Sequence, residues 1–246
     1  MNRVALIAAL PGELKPLVRG WEHRRRNGID LWRRTEGRSE WVAACAGAGS
    51  EAAARAFDEA RLTGPFAMVY SIGLAGALRT GLSAGSVHSV STVIDTATHE
   101  RFAAGGARPP GALAPSAFCL LTHPRVADRA EKERLEAAFG GDLVDMEAAE
   151  IARQAAAQGI EFHCLKGVSD ELTDRLPDLN RFITPAGHFQ LARFAVFAAL
   201  RPVTWPALIR LGRNSHRASA ALAQHLRDRL SSESGPGTTG STSEYD

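Results

Sequence analysis

The feature that most restricts this chain is an alternation. Short apolar runs with β character are separated by alanine-rich stretches of helical periodicity. Val4 to Ala9, Trp41 to Ala46, Ala67 to Ile72, Ser86 to Ile94, Phe118 to Thr122, Leu143 to Asp145 and Phe162 to Val168 read as strands. Ser50 to Arg61, Ala127 to Phe139 and Ala148 to Gln158 read as helices between them, and Pro206 to Leu230 as a last helix. Strands joined through helices pair in parallel, with both sheet faces covered. The expected fold class is therefore α/β: one domain over residues 1–230 whose central sheet is mixed but largely parallel and flanked by helices. No fixed-period repeat and no shift of composition divides it. From Ser231 the sequence "SSESGPGTTGSTSEYD" offers almost nothing to bury, so 231–246 reads as a disordered tail.

A chain of 246 residues is long enough for one sizeable core. Its formal charge of +2 demands neither nucleic acid nor a membrane. Cys45, Cys119 and Cys164 all lie within apolar runs, which suits small buried hydrophobes in a reducing compartment better than a disulfide. The apolar run at the N-terminus is too short for a signal sequence, and no stretch is long and apolar enough to span a bilayer. A cytoplasmic protein is expected. His88, His99, His123 and His163 are isolated from one another, so no metal and no cofactor is expected.

Two carboxylates stand where apolar runs end. In "LVDMEAAEIA" a buried run gives way to a helix at Asp145, Met146 and Glu147; in "FHCLKGVSDEL" Ser169 and Asp170 close a strand. Open parallel sheets bind ligands beyond the carboxyl ends of their strands. Glu13, a Gly73–Gly76 loop, Glu147 and Asp170 would then gather along one edge. Two glycine loops, "SIGLAGAL" and "CAGAGSEAAA", offer backbone N–H groups to an anion or a sugar hydroxyl, although neither has the spacing of a Walker loop or a dinucleotide fingerprint. Each is equally well explained as a tight turn with no ligand.

The order "AALPGEL", "AGAGSEAAA", "SIGLAGAL", "VDMEAAEIA" and "KGVSDE" resembles the superfamily of purine nucleoside phosphorylases and methylthioadenosine/S-adenosylhomocysteine nucleosidases, from about residue 3 to about residue 200. The resemblance implies cleavage of an N-ribosidic bond with release of adenine. It makes Asp170 the acid that protonates the purine at N7, with Ser169 holding the carboxyl. Glu147 takes the ribose hydroxyls, Met146 packs under the sugar, and Gly73, Leu74 and Ala75 form a substrate loop. Glu13 corresponds to the glutamate that activates water in the hydrolytic branch. The chain departs from the pattern at Leu74, where relatives commonly carry a small hydroxyl residue. It departs again at Lys166, where nucleosidases usually carry arginine; Lys166 keeps a cation near the carboxylates but loses the bidentate fork. The resemblance further implies a small nucleoside as partner, with or without phosphate, and a homodimer or larger oligomer.

The stretch from Arg175 onward is longer than a minimal nucleosidase needs and resembles phosphorylase-like proteins of hopanoid biosynthesis, which act on adenosylhopane. There Leu176, Pro177, Phe182 and Phe189 would line an apolar pocket for a bulky 5′ substituent. In the last helix Trp205, Leu208 and Ile209 stand near Arg210, Arg213 and Arg217. Such a helix suits anionic lipid, but one packed and one solvated face is the plainer reading. Two readings from other classes stay open: a nucleoside-binding protein without catalysis, which would not need Glu147 and Asp170, and a Rossmann-type redox enzyme, which the missing fingerprint disfavours. Water or phosphate as nucleophile is not decided by the sequence, although Glu13 and Leu74 lean towards water.

Overall fold

The computed structural model describes residues 2–37, 39–105 and 118–233. In chain order the elements are β1 (Asn2–Ala8), α1 (Pro11–Leu14), β2 (Glu22–Arg26), β3 (Ile29–Glu36), β4 (Ser39–Cys45), α2 (Ser50–Arg61), β5 (Met68–Ala77), β6 (Val87–Asp95), β7 (Arg101–Ala103), β8 (Phe118–Thr122), α3 (Arg129–Phe139), β9 (Leu143–Asp145), α4 (Ala148–Ala157), β10 (Glu161–Asp170), α5 (Leu191–Leu200) and α6 (Trp205–Glu233). The last helix continues through Glu233, so the first three residues of the expected tail are helical. Residues 234–246 lie outside the described residues.

The sheet is more mixed than the sequence suggests. β1 pairs in parallel with β4 and β5, β5 with β10, and β8 with β6 and β9. The other five ladders among the described residues, β10–β6, β2–β3, β3–β4, β5–β9 and β6–β7, are antiparallel. The reason lies in the connections, because a strand reached without a crossover helix returns antiparallel. The hairpin between β2 and β3 turns on Asn27 and Gly28, both at positive φ, which is the twist-matched turn of a two-residue loop.

Nor is the sheet open. In the order β10-β6-β8-β9-β5 the last strand pairs again with β10, closing a barrel-like ring, and β1, β4, β3 and β2 extend from β5 as a wing. Helices α2 and α4 cover one side through Ala52, Ala56, Phe57, Ala148, Ile151 and Ala155. The C-terminal half of α6 covers the other, where Leu222, Ala223 and Leu226 pack with Trp41, Tyr70 and Leu165. Cys45 and Cys164 are buried and Cys119 half-buried, all three free thiols.

A chain crossing closes one end of this framework. Gly47 and Gly187 lie against each other at φ +121° and +80°, and Ala48 N–H donates to the Gly187 carbonyl at 2.8 Å. A Cβ on Gly187 would stand 2.1 Å from the Ala48 carbonyl oxygen, in a backbone conformation that already disfavours side chains. Gly187→Ala is expected to destabilise the fold by about 2 kcal/mol or more. Urea denaturation checks this, and a midpoint equal to that of the parent chain refutes it.

Candidate active site

One cavity of about 210 Å³ opens where α1, β5, the β9–α4 junction and the end of β10 meet. Seven of the nine expected site residues line it: Glu13, Leu74, Ala75, Met146, Glu147, Ser169 and Asp170. Gly73 and Lys166 are not in its wall. The expected gathering takes place, but by a different route. The predicted Gly73–Gly76 loop is part of β5, which runs on to Ala77. β9 runs against β5, with Val144 opposite Gly76, so its acids point back along β5 instead of extending one common edge. Asp170 is the last residue of β10 and lies opposite the same Gly76, across a bulge.

Glu13 sits in a single turn opened by Pro11, and its carboxylate folds back onto the backbone before it. Oε2 accepts from Ala9 and Leu10 N–H at 3.0 Å each, and Oε1 accepts from Leu74 N–H at 3.1 Å. Gly73 permits this approach: at φ +141°, its missing Cβ would stand 3.0 Å from Oε2. Burial raises the Glu13 pKa above the ordinary carboxylate value, against the opposing pull of these amides and Lys166.

Glu147 stands at the start of α4, yet it does not cap that helix. Asp145 does so, its Oδ2 accepting from Ala148 N–H at 3.0 Å. Glu147 turns to the cavity, where Oε1 accepts from Gly49 N–H at 2.7 Å and Oε2 from Met146 N–H at 3.2 Å. Burial, reinforced by the Asp145 charge, pushes its pKa up to about 8, while Lys166 and the Gly49 amide pull the other way.

Lys166 lies behind these acids. Its Nζ is 2.9 Å from Asp145 Oδ2 and donates to Ser71 Oγ at 3.0 Å. Burial opposes its charge, but Asp145 above all outweighs burial and holds the ammonium more firmly than in ordinary lysine. Thr122 Oγ1 completes the set by donating to Asp145 Oδ1 at 2.8 Å.

Asp170 is held at both oxygens. Ser169 Oγ lies 2.6 Å from Oδ1 and 3.2 Å from the Ala75 carbonyl, and the Lys132 ammonium pairs with Oδ2. Lys132 also donates to the Glu171 carbonyl at 3.2 Å and lines the cavity. It is not among the expected site residues. In "RAEKERLEAAF" every neighbour is charged or helical, so nothing marks one lysine as buried. Gly76 leaves the room, since a Cβ there would meet Lys132 Cε at 3.0 Å and Asp170 Oδ2 at 3.1 Å.

The glycine loops do not present the amides expected of an anion cradle. Gly47 N–H donates to the Ala9 carbonyl, Ala48 N–H to Gly187, Gly49 N–H to Glu147 and Leu74 N–H to Glu13. Of the apolar residues expected to line a 5′ pocket, Phe189 does, together with Leu179 and Ile183. Phe182 is buried behind the wall, its ring 6.3 Å from Phe189, 5.4 Å from Phe194 and 5.2 Å from Phe197. Leu176 lines a separate depression and Pro177 neither.

The raised Glu147 value carries a pH signature. Between about pH 4.5 and about pH 8 the folded protein keeps a proton that the unfolded chain has lost. Stability from this group therefore falls as pH rises through that window. Glu147→Gln removes the dependence, so the melting temperature of the variant relative to the parent is expected to climb from about pH 5 to about pH 8. A difference that stays flat across the window refutes the assignment.

Residues 117–199 match the family model described as Phosphorylase superfamily. No curated protein matches the chain significantly by sequence. Among solved structures, the 5′-methylthioadenosine nucleosidase of Arabidopsis thaliana in apo form aligns with a TM-score of 0.72 at 16% identity, covering 96% of this chain and 98% of that one. The 5′-methylthioadenosine/S-adenosylhomocysteine nucleosidase of Neisseria meningitidis in complex with methylthio-immucillin-A aligns at 0.68 and 19% identity, covering 94% and 100%. Futalosine hydrolase of Helicobacter pylori aligns at 0.67 and 14% identity, covering 94% and 98%. The sequence match is thus confined to residues 117–199, while the fold of these nucleosidases is shared over nearly the whole chain.

Proposed function

We propose that this protein cleaves the N-ribosidic bond of an adenosine modified at its 5′ position and releases adenine. The observation that carries the reading is the convergence of three buried acids, Glu13, Glu147 and Asp170, on one cavity, each from a different part of the chain. A reaction that builds positive charge on a ribose and negative charge on a departing base has a task for each. As the C1′–N9 bond breaks, its electron pair stays with the purine, and Asp170 delivers a proton to N7. The Lys132 ammonium pairs with the carboxylate that Asp170 becomes once its proton has passed to N7, and so stabilises the product of that transfer. Ser169 orients the carboxyl.

Glu147 takes the ribose hydroxyls. Glu13 takes a proton from water as the water oxygen bonds to C1′. A carboxylate whose pKa is raised by burial is a stronger base near neutral pH than an exposed one. Since the loop amides already have partners inside the protein, the reading favours water over phosphate. Phosphate as nucleophile, with adenosylhopane as the substrate, rests on Arg125, a second cation in the wall. The cavity is small for a ligand pocket, so a large 5′ group would leave past the apolar rim of Leu179, Ile183 and Phe189.

Asp170→Asn keeps the shape but carries no transferable proton, and turnover is expected to fall by about two to four orders of magnitude with a smaller change in KM. Parent-like turnover sinks the role of Asp170. Glu13→Gln distinguishes the nucleophiles: a hydrolase slows by about two orders of magnitude or more, whereas a phosphorylase slows far less because its nucleophile is already anionic. Analysis of the sugar product as free ribose or ribose 1-phosphate reads the outcome. Adenine release that needs phosphate and survives Glu13→Gln overturns hydrolysis; no adenine from any 5′-modified adenosine, with or without phosphate, overturns the enzyme.

A further inference from the structure

The chain is near neutral as a whole, but its charge is not evenly spread. From Leu179 to Arg227 it holds seven arginines, no lysine and no acid, so the formal +2 is a balance of +7 here against −5 elsewhere. This same segment contains the most exposed apolar surface. In α5, "LARFAVFAAL", nine of ten residues are apolar and none is buried. Leu191 and Val196 are exposed along it. At the elbow that follows, Leu200 is 77% exposed and Val203 85%, and on the first turns of α6 Trp205 and Ile209 are about half exposed. The two helices meet at 104°. A helix so apolar is normally buried. Here only the far half of α6 returns to the core, so the elbow stands off the body of the protein.

Arginines surround the apolar residues. Arg181 and Arg201 lie over the Phe197 ring at 5.7 and 5.1 Å; Arg193 precedes that ring by four residues on α5, and Arg213 follows Ile209 by four on α6. Among the described residues Arg193, Arg201 and Arg213 make no ion pair, whereas Arg210 reaches Asp174 at 3.3 Å. Arg181 likewise reaches Asp178 at 3.8 Å, but a second copy docked face to face would still bring the three unpaired arginines of each copy together, which is electrostatically opposed. A surface that takes both the apolar side chains and the cations is an anionic bilayer: the side chains enter the acyl boundary and the arginines meet lipid phosphates. No single helix among the described residues is long and apolar enough to cross a membrane; the two together have the length and composition, but their 104° bend and the return of the far half of α6 to the core suit contact with one leaflet.

We propose that the α5–α6 elbow is a membrane-docking face, with Leu200, Val203 and Trp205 at its tip and Arg193, Arg201 and Arg213 at headgroup level. The test is co-sedimentation of the full chain with vesicles of phosphatidylcholine alone and of phosphatidylcholine containing about a quarter phosphatidylglycerol. Binding to the anionic vesicles is expected to exceed binding to the neutral ones by about tenfold or more, and to weaken as salt rises. Leu200→Ser/Val203→Ser and, separately, Arg201→Gln/Arg213→Gln are each expected to lower it by about tenfold, with far-UV circular dichroism and any adenine release unchanged, because none of the four lines the cavity. Absence of binding to anionic vesicles, equal binding to both kinds, or variants that bind as the parent does would each overturn the proposal. So would a parent chain that ignores vesicles and elutes as a dimer that Leu200→Ser/Val203→Ser dissociates.

Discussion

The ion pair between Lys166 and Asp145 is the constraint on which the rest of the site depends. It joins β10 to β9 inside the ring, and its hydrogen bond to Ser71 adds β5. Two charges so deeply buried gain only if each is paired and its remaining hydrogen-bonding capacity is met. Here Thr122 and the first amide of α4 meet the needs of Asp145, and Ser71 those of Lys166. Two more carboxylates stand next to this pair. Without its cation, Glu13, Asp145 and Glu147 would form an unrelieved acidic cluster in an apolar setting. Lys166, expected among the substrate-binding residues, is thus a buried counter-charge set back from the cavity wall.

A second consequence concerns how the acids are held. Backbone amides from remote loops fix Glu13 and Glu147 before any substrate arrives. Amides that look from sequence like an anion cradle are the clamps for the protein's own carboxylates. Such a site resists collapse and needs little rearrangement during reaction, which is the physical content of preorganisation.

Much of this was legible in the sequence. Glu147 and Asp170 announce themselves because a charge at the end of an apolar run has few structural excuses, and the strands carrying them fall where expected. What escaped notice did so for identifiable reasons. Lys132 hides among charged neighbours in α3. Asp145 ends its strand as expected, and what the sequence does not show is that it also takes over the capping that would otherwise explain Glu147. The turn at Asn27 and Gly28 is a hairpin signal, but its strands are arginine-rich and lack the alternation that would draw attention. The direction of β9 is invisible locally, since three residues pair either way and only ring closure decides.

The aromatic cluster of Phe182, Phe189, Phe194 and Phe197 joins two surfaces that otherwise look separate. Phe189 is part of the cavity wall, and Phe194 and Phe197 belong to α5. Phe182 bridges them, with its ring 5.4 Å from Phe194 and 5.2 Å from Phe197 on one side and 6.3 Å from Phe189 on the other. In a close-packed cluster a ring has little room to turn unless its neighbours give way. The position of Phe189 in the cavity wall is therefore set in part by how α5 packs, so the shape of the apolar rim is fixed from the outer side of the protein as well as from within.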